Sequence, residues 1–276
     1  MATLSIRPMS VGELLDATLA IYRQHFGTLL GTAAVCVGLP AILAPTLLVP
    51  IVFADLMTES GNTFRGTTLL MIVTLLVGLG TLVATAAVIR VISEAYLGLQ
   101  PTVGDALRFA LARLVPLFVA GLAKTLVIFV GVAIPVLLSA LLAVVLGPFA
   151  VLLFFLAIPV GIVLVLGYAL VTQAVILESL PAPTAALGRS WNLTKGFKGK
   201  VFLLGFVVFV LLLIPQIVGA MVSFVPYVGA AASALIQLMV YPVLPCAFTL
   251  LYYDLRVRKE AFDLEYLARQ MNVGSA

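Results

Sequence analysis

The sequence predicts an all-α integral membrane protein. It reads as six transmembrane helices in three parallel repeats, each an amphipathic helix plus a helical hairpin, with pseudo-threefold symmetry. Three observations predict this. Over 276 residues the chain is 63% apolar and only 9% charged, with a mean hydropathy of +1.27, whereas soluble domains average about 25% charged residues. Segments recur along it. Ser10-Val11-Gly12-Glu13 with Leu15 and Leu19 matches Thr102-Val103-Gly104-Asp105 with Leu107 and Leu111. Leu107, Val127, Phe129, Val130, Ile134, Pro135 and Ala140 match Leu187, Val207, Phe209, Val210, Ile214, Pro215 and Ala220 at one constant spacing. Finally, each repeat closes on an acid: Glu94, Glu178 and Asp254. The units run over 9–98, 101–178 and 183–255 of a single membrane domain, 1–276, with a cytoplasmic tail over 256–276.

Residues 10–26 form the first amphipathic helix. Val11, Leu14, Leu15, Thr18, Leu19, Tyr22 and Phe26 recur at helical steps, with Glu13, Asp16 and Arg23 between. Ser10 and Glu13 have capping-box spacing, and Met9 and Leu14 that of a hydrophobic staple. Nothing before it reads as a cleaved signal peptide. Span 1, 28–53, carries Pro40, Pro45 and Pro50 and is expected to kink. A polar loop, 54–65, precedes span 2, 66–98, which at roughly 50 Å exceeds the hydrocarbon core. The second amphipathic piece, 101–113, has Thr102 as cap and Asp105 as a weaker capping-box partner. Span 3, 114–146, contains Lys124 and Pro135; Gly147-Pro148 is a tight turn; span 4, 149–177, contains Pro159. The third amphipathic piece, 183–197, carries Arg189, Trp191 and Lys195. Span 5, 200–224, contains Pro215, Pro226-Tyr227-Val228-Gly229 turns the chain, and span 6, 230–255, contains Pro242 and Pro245.

Six spans place both termini on one side. Of fifteen Lys and Arg, only Arg65 falls in the hairpin connections, while Arg7, Arg23, Arg108, Arg113, Arg189, Lys195, Lys198, Lys200, Arg256, Arg258, Lys259 and Arg269 fall opposite. Positive charge stays cytoplasmic during insertion, so both termini and the amphipathic pieces are expected there. Repeats with an even number of spans insert in one orientation and are parallel.

Ile6-Arg7-Pro8-Met9-Ser10-Val11-Gly12-Glu13-Leu14-Leu15-Asp16, continuing to Tyr22-Arg23-Gln24-His25-Phe26, resembles the opening of the bacterial glycerophosphoryl diester phosphodiesterase membrane-domain family. Arg189-Ser190-Trp191-Asn192-Leu193-Thr194-Lys195-Gly196 resembles its middle signature, and the stretch 251–265 its C-terminal one. The resemblance covers essentially the whole chain. It implies a multi-pass protein of the bacterial cytoplasmic (inner) membrane. In the enzymes that give the family its name, this region is joined to a soluble phosphodiesterase barrel. A chain ending at Ala276 has no room for one, and a single histidine, His25, does not match that hydrolase chemistry. No enzymatic activity and no cofactor are therefore expected.

The residues themselves point the same way. One His and two unpaired Cys, Cys36 and Cys246, cannot build a zinc site, and no phosphate-cradling glycine loop or nucleophile elbow is present. Nucleic acid is not expected as a partner, since no basic domain stands outside the membrane. The intramembrane candidates are Lys124, Arg90, Glu94 and Glu178. Lys124 either points into the bundle to meet Glu94, Glu178 or an amphiphile's phosphate, or snorkels to the interface. Arg90 and Glu94 are spaced to pair on one helix face. The recurring acids either ring a vestibule or bind the basic surface helices. Trp191, Lys195, Lys198 and Lys200 form a basic aromatic patch, read either as interfacial anchoring or as a lipid-headgroup site. The expected function is non-catalytic: binding or organising phospholipid-like amphiphiles, anionic ones among them, or serving as membrane partner of another protein or as a homo-oligomer. The alternative is a transporter or lipid-translocating permease, whose polar pathway would use Lys124, Gln173, Gln216 and Gln237.

Overall fold

The computed structural model describes residues 8–38, 63–225 and 229–260. Every regular element among them is helical. In order they are α1 (Val11–Gln24), α2 (Phe26–Ala33) running into a π-helical segment (Ala34–Gly38), α3 (Thr63–Tyr96), α4 (Val103–Ala112), α5 (Leu114–Leu146), α6 (Ala150–Gly167), α7 (Val171–Leu177), α8 (Ala185–Thr194), α9 (Lys198–Ser223), α10 (Gly229–Val240) and α11 (Val243–Glu260). Met71–Tyr96, Leu114–Ala143, Leu152–Leu177, Lys198–Ser223 and Ala231–Glu260 are long and apolar enough to cross a bilayer. The chain is an all-α, multi-pass membrane protein. The first expected span, 28–53, is described only to Gly38. Its three prolines lie outside the described residues, as do Arg7, most of the 54–65 loop, the Pro226-Tyr227-Val228 turn and the tail beyond Glu260.

The helix starts follow from their caps. Ser10 Oγ accepts from the Glu13 N–H at 3.3 Å, and Glu13 Oε2 accepts from the Ser10 N–H at 2.7 Å. Met9 and Leu14 are both buried beside this box. At α4, Thr102 Oγ1 accepts from the Asp105 N–H at 3.2 Å and donates to Asp105 Oδ2 at 2.6 Å. Aspartate is one methylene shorter than glutamate, so this carboxylate meets the threonine hydroxyl. At α8, Thr184 makes no side-chain cap.

Two expected spans are interrupted. Span 4 breaks at 168–170, between α6 and α7, and span 6 at 241–242, between α10 and α11. In span 6, Pro242 and Pro245 have no N–H to return to the carbonyls of Leu238 and Tyr241, so the ladder cannot continue. The turn before α6 is a short 3-10 piece, Gly147–Phe149, with Gly147 at φ +53°.

The chain divides into two compact units. One comprises Met1–Leu15, Val115–Phe206 and Phe248–Ala276; the other comprises Asp16–Leu114 and Val207–Ala247. In the second unit, α3 packs on α2, the π-helical segment and α4, while α10 packs on the π-helical segment. In its last turns α3 is enclosed on all sides: Ala84, Ala86, Ala87, Val88, Ile89 and Ile92 are fully buried, three of them alanines. Such residues let helices approach where lipid removes the hydrophobic drive between them. In the first unit, α6 and α7 pack on α8. Helix α5 is different: only 6% of its most apolar window is buried within the molecule, so its Leu, Val and Phe side chains face outward as a lipid-facing helix would.

Candidate functional site

The break in span 4 is the seat of the surface helix α8. Ser190 Oγ donates to the Gly167 carbonyl at 2.8 Å and accepts from the Leu170 N–H at 3.2 Å. Thr194, one turn on, donates to the same carbonyl at 3.2 Å. Ser190 and Thr194 thus satisfy backbone groups that the break releases, and both are fully buried. Gly167 carries no side chain for a steric reason. A Cβ there would lie 2.3 Å from the Trp191 ring. The indole rests on bare backbone beside Tyr168, with ring centroids 5.4 Å apart.

Over Trp191 lies Lys198, its Nζ 3.9 Å from the ring centroid, a cation–π contact. Lys195 is exposed beside it. Its backbone carbonyl accepts from Lys259 Nζ at 2.7 Å, and the Asn192 carbonyl also accepts from Lys259. Lys259 thereby satisfies the C-terminal end of α8, where a cation is favoured. Of the four patch residues, three lie together here: Trp191, Lys195 and Lys198. Lys200 turns away and donates to Asp254 and to the Met9 carbonyl, the latter at 2.6 Å.

Asp254 has a fully buried side chain. It accepts from the Met9 N–H at 2.7 Å, from Lys200 and from Arg258 Nε at 3.1 Å, while Arg258 also donates to the Met9 carbonyl at 2.8 Å. One buried carboxylate, two cations and the backbone N–H and C=O of one residue close on each other. Glu178 is the centre of a second cluster. Arg189 grips it with Nε at 2.8 and 2.9 Å and with its NH2 nitrogen at 2.7 Å. Tyr252 donates to it, and Arg256 lies 3.6 Å away. Arg189 and Arg256 both also bind Glu260. The hydrogen bond to Glu260, then those to Glu178, raise the Arg189 pKa above its ordinary value although burial opposes them. Its charge is therefore fixed.

In the other unit, Arg90 Nε meets Glu94 Oε1 at 2.6 Å along α3. The Arg90 guanidinium lies 4.8 Å from the Phe109 ring centroid on α4. The recurring acids thus all face basic partners within their own units: Glu94 a residue of its own helix, Glu178 residues from other segments, and Asp254 one of each, Arg258 and Lys200. Lys124 is partly buried on α5; Glu178 is engaged by Arg189, Arg256 and Tyr252, without it.

The second unit also holds a cavity of about 630 Å³ at the break in span 6. Gln216, Gln237, Ser233, Thr85 and Tyr241 are its polar lining, and Val37 and Gly38 of the π-helical segment, with Leu212 and Leu238, part of its apolar lining. Tyr241 and Thr85 share a hydroxyl–hydroxyl bond of 2.7 Å over the Thr81 carbonyl. Two of the four expected pathway residues, Gln216 and Gln237, line this cavity. Gln173 is instead buried on α7, in the first unit, with its Oε1 unpartnered among the described residues.

The Tyr241–Thr85 pair and the Ser190–Thr194 clasp were not singled out from the sequence. Signals for both exist: an aromatic hydroxyl just before Pro242, and two small hydroxyl residues one turn apart in a surface helix. Comparison with protein-family models, curated proteins and solved structures finds no match to this chain.

Proposed function

We propose that the chain is a non-catalytic membrane protein that binds or organises phospholipid-like amphiphiles, alone or as the membrane partner of another protein. The observation that carries this is the Lys198–Trp191 stack beside exposed Lys195. It combines a headgroup-level indole with clustered cations, each contributing about 1 kcal/mol toward an anionic surface. The three sequence motifs support membership of the glycerophosphoryl diester phosphodiesterase membrane-domain family. The charge asymmetry supports six spans in the bacterial inner membrane with both termini cytoplasmic. The repeated segments support three parallel units about a pseudo-threefold axis.

The test is native mass spectrometry of protein released from lipid nanodiscs prepared without detergent. An anionic phospholipid should be retained by the wild type and lost when Lys195→Gln and Lys198→Gln are combined. Equal retention by both proteins would remove the headgroup site. A second reading, transport or lipid translocation, is favoured by the cavity that gathers Gln216 and Gln237. Vesicle-reconstituted protein should then accelerate lipid or solute exchange.

A further inference from the structure

The cavity at the span 6 break differs chemically from the surface patch. None of its lining residues carries a formal charge at neutral pH. Its polar groups are two carboxamides and three hydroxyls. Tyr241 and Thr85 bond one another, while the side-chain carboxamides of Gln216 and Gln237 make no hydrogen bond among the described residues. Each glutamine lies about 10 Å in from the hairpin end of its helix, counting from Ser223 and from Ala231. Two amides at that depth are costly against hydrocarbon unless something polar meets them.

Leu238 and Tyr241 line the cavity, and their carbonyls are the ones that Pro242 and Pro245 cannot bond. The volume lies within the range of small-molecule pockets, roughly 300–1,000 Å³. An anion or ammonium entering here would lose its hydration without gaining an opposite charge. A hydroxyl-bearing group would instead find carboxamide donors and acceptors among largely aliphatic surface.

We infer that this cavity is an intramembrane binding site for an uncharged, hydroxyl-bearing amphiphile, a glycerol-type head on an acyl chain. The inference rests on the amphiphile-binding reading but uses another unit of the protein and the opposite charge preference.

The experiment uses the full chain in nanodiscs and a matched pair of probes, 1-oleoylglycerol and its 3-phosphate, followed by native mass spectrometry. One 1-oleoylglycerol per chain should bind saturably. Gln216→Leu and Gln237→Leu should each weaken it by about threefold to tenfold. Ala234→Phe, which fills the cavity from its wall, should abolish it. The Lys195→Gln and Lys198→Gln pair should leave it unchanged while shedding anionic lipid, so failure at the patch and failure at the cavity are read separately. The inference is overturned if 1-oleoylglycerol shows no saturable uptake, if Ala234→Phe binds it normally, or if the phosphate form occupies the site equally well.

Discussion

Lys200→Met separates a structural lysine from a lipid-binding one. Asp254 has no exposed side-chain surface and is held by Lys200, Arg258 and the Met9 N–H. Breaking a buried ion pair by removing one partner costs about 3–5 kcal/mol. Two features reduce that here. Arg258 remains as a second cation, and Lys200 itself is 14% exposed, so about 2–3 kcal/mol is expected. The Met9 carbonyl also loses one of its two donors, which keeps the figure from falling further. Asp254→Asn should cost more, because it leaves two cations facing each other without a carboxylate. Lys195→Met is the control: its side chain is exposed, and less than about 0.5 kcal/mol is expected. Reversible unfolding in mixed micelles gives the free energies, and lipid retention is measured on the same samples. If Lys200→Met leaves stability within 0.5 kcal/mol of wild type and sheds anionic lipid instead, the buried cluster is not what Lys200 serves.

The remaining predictions probe the seat of α8. Gly167→Ala should displace the indole and cost about 1–3 kcal/mol; Trp191 is the only tryptophan, so a shifted emission spectrum reports it directly, and an unchanged spectrum speaks against the close approach. Ser190→Ala removes the acceptor for the Leu170 N–H and one donor to the Gly167 carbonyl, with about 1–3 kcal/mol lost and faster amide exchange at Leu170; unaltered exchange there would refute the clasp. Arg189 has a raised pKa, so its contribution is complete below its unfolded value and fades only above it, beyond usable pH. Arg189→Lys loses the forked grip on Glu178 at neutral pH, about 1–2 kcal/mol, and should add an alkaline loss as lysine nears its ordinary value of about 10.4. A wild-type-minus-variant difference that stays flat with rising pH would contradict this.

Much of the fold was legible because the signals were local or ran over long apolar stretches. The Ser10–Glu13 box and Met9–Leu14 staple depend on residues within a turn or two, and their atoms meet as that spacing requires. The five described spans follow from long, predominantly apolar runs. What was not legible depends on three-dimensional orientation. Lys198 and Lys200 read as neighbours in one basic patch, yet residues two apart on a helix point about 200° apart. One stacks on Trp191 and the other binds Asp254. The prolines of span 6 were visible, but whether they bend a helix or divide it depends on what satisfies the released carbonyls. The break in span 4 contains no proline. It is held open by Ser190, twenty residues from Leu170 in sequence, and no reading confined to span 4 would find it. For the cavity, Gln216 and Gln237 were candidates by polarity alone; that they line one cavity while Gln173 is buried on α7 needed the tertiary packing.

The bond between the Met9 N–H and Asp254 joins residues 245 positions apart, and it imposes an order on biogenesis. During synthesis the cap of α1 emerges first, but its buried counter-charge exists only once α11 has been translated. Until then Met9 lacks the carboxylate and the Arg258 guanidinium that later enclose it with Lys200. The first surface helix must therefore wait at the interface, held by its apolar face, while the later spans insert. A nascent chain stopped before Asp254 would leave the Met9 N–H without its acceptor and Lys200 without its carboxylate. That unpaired junction would distinguish an unfinished molecule from a finished one.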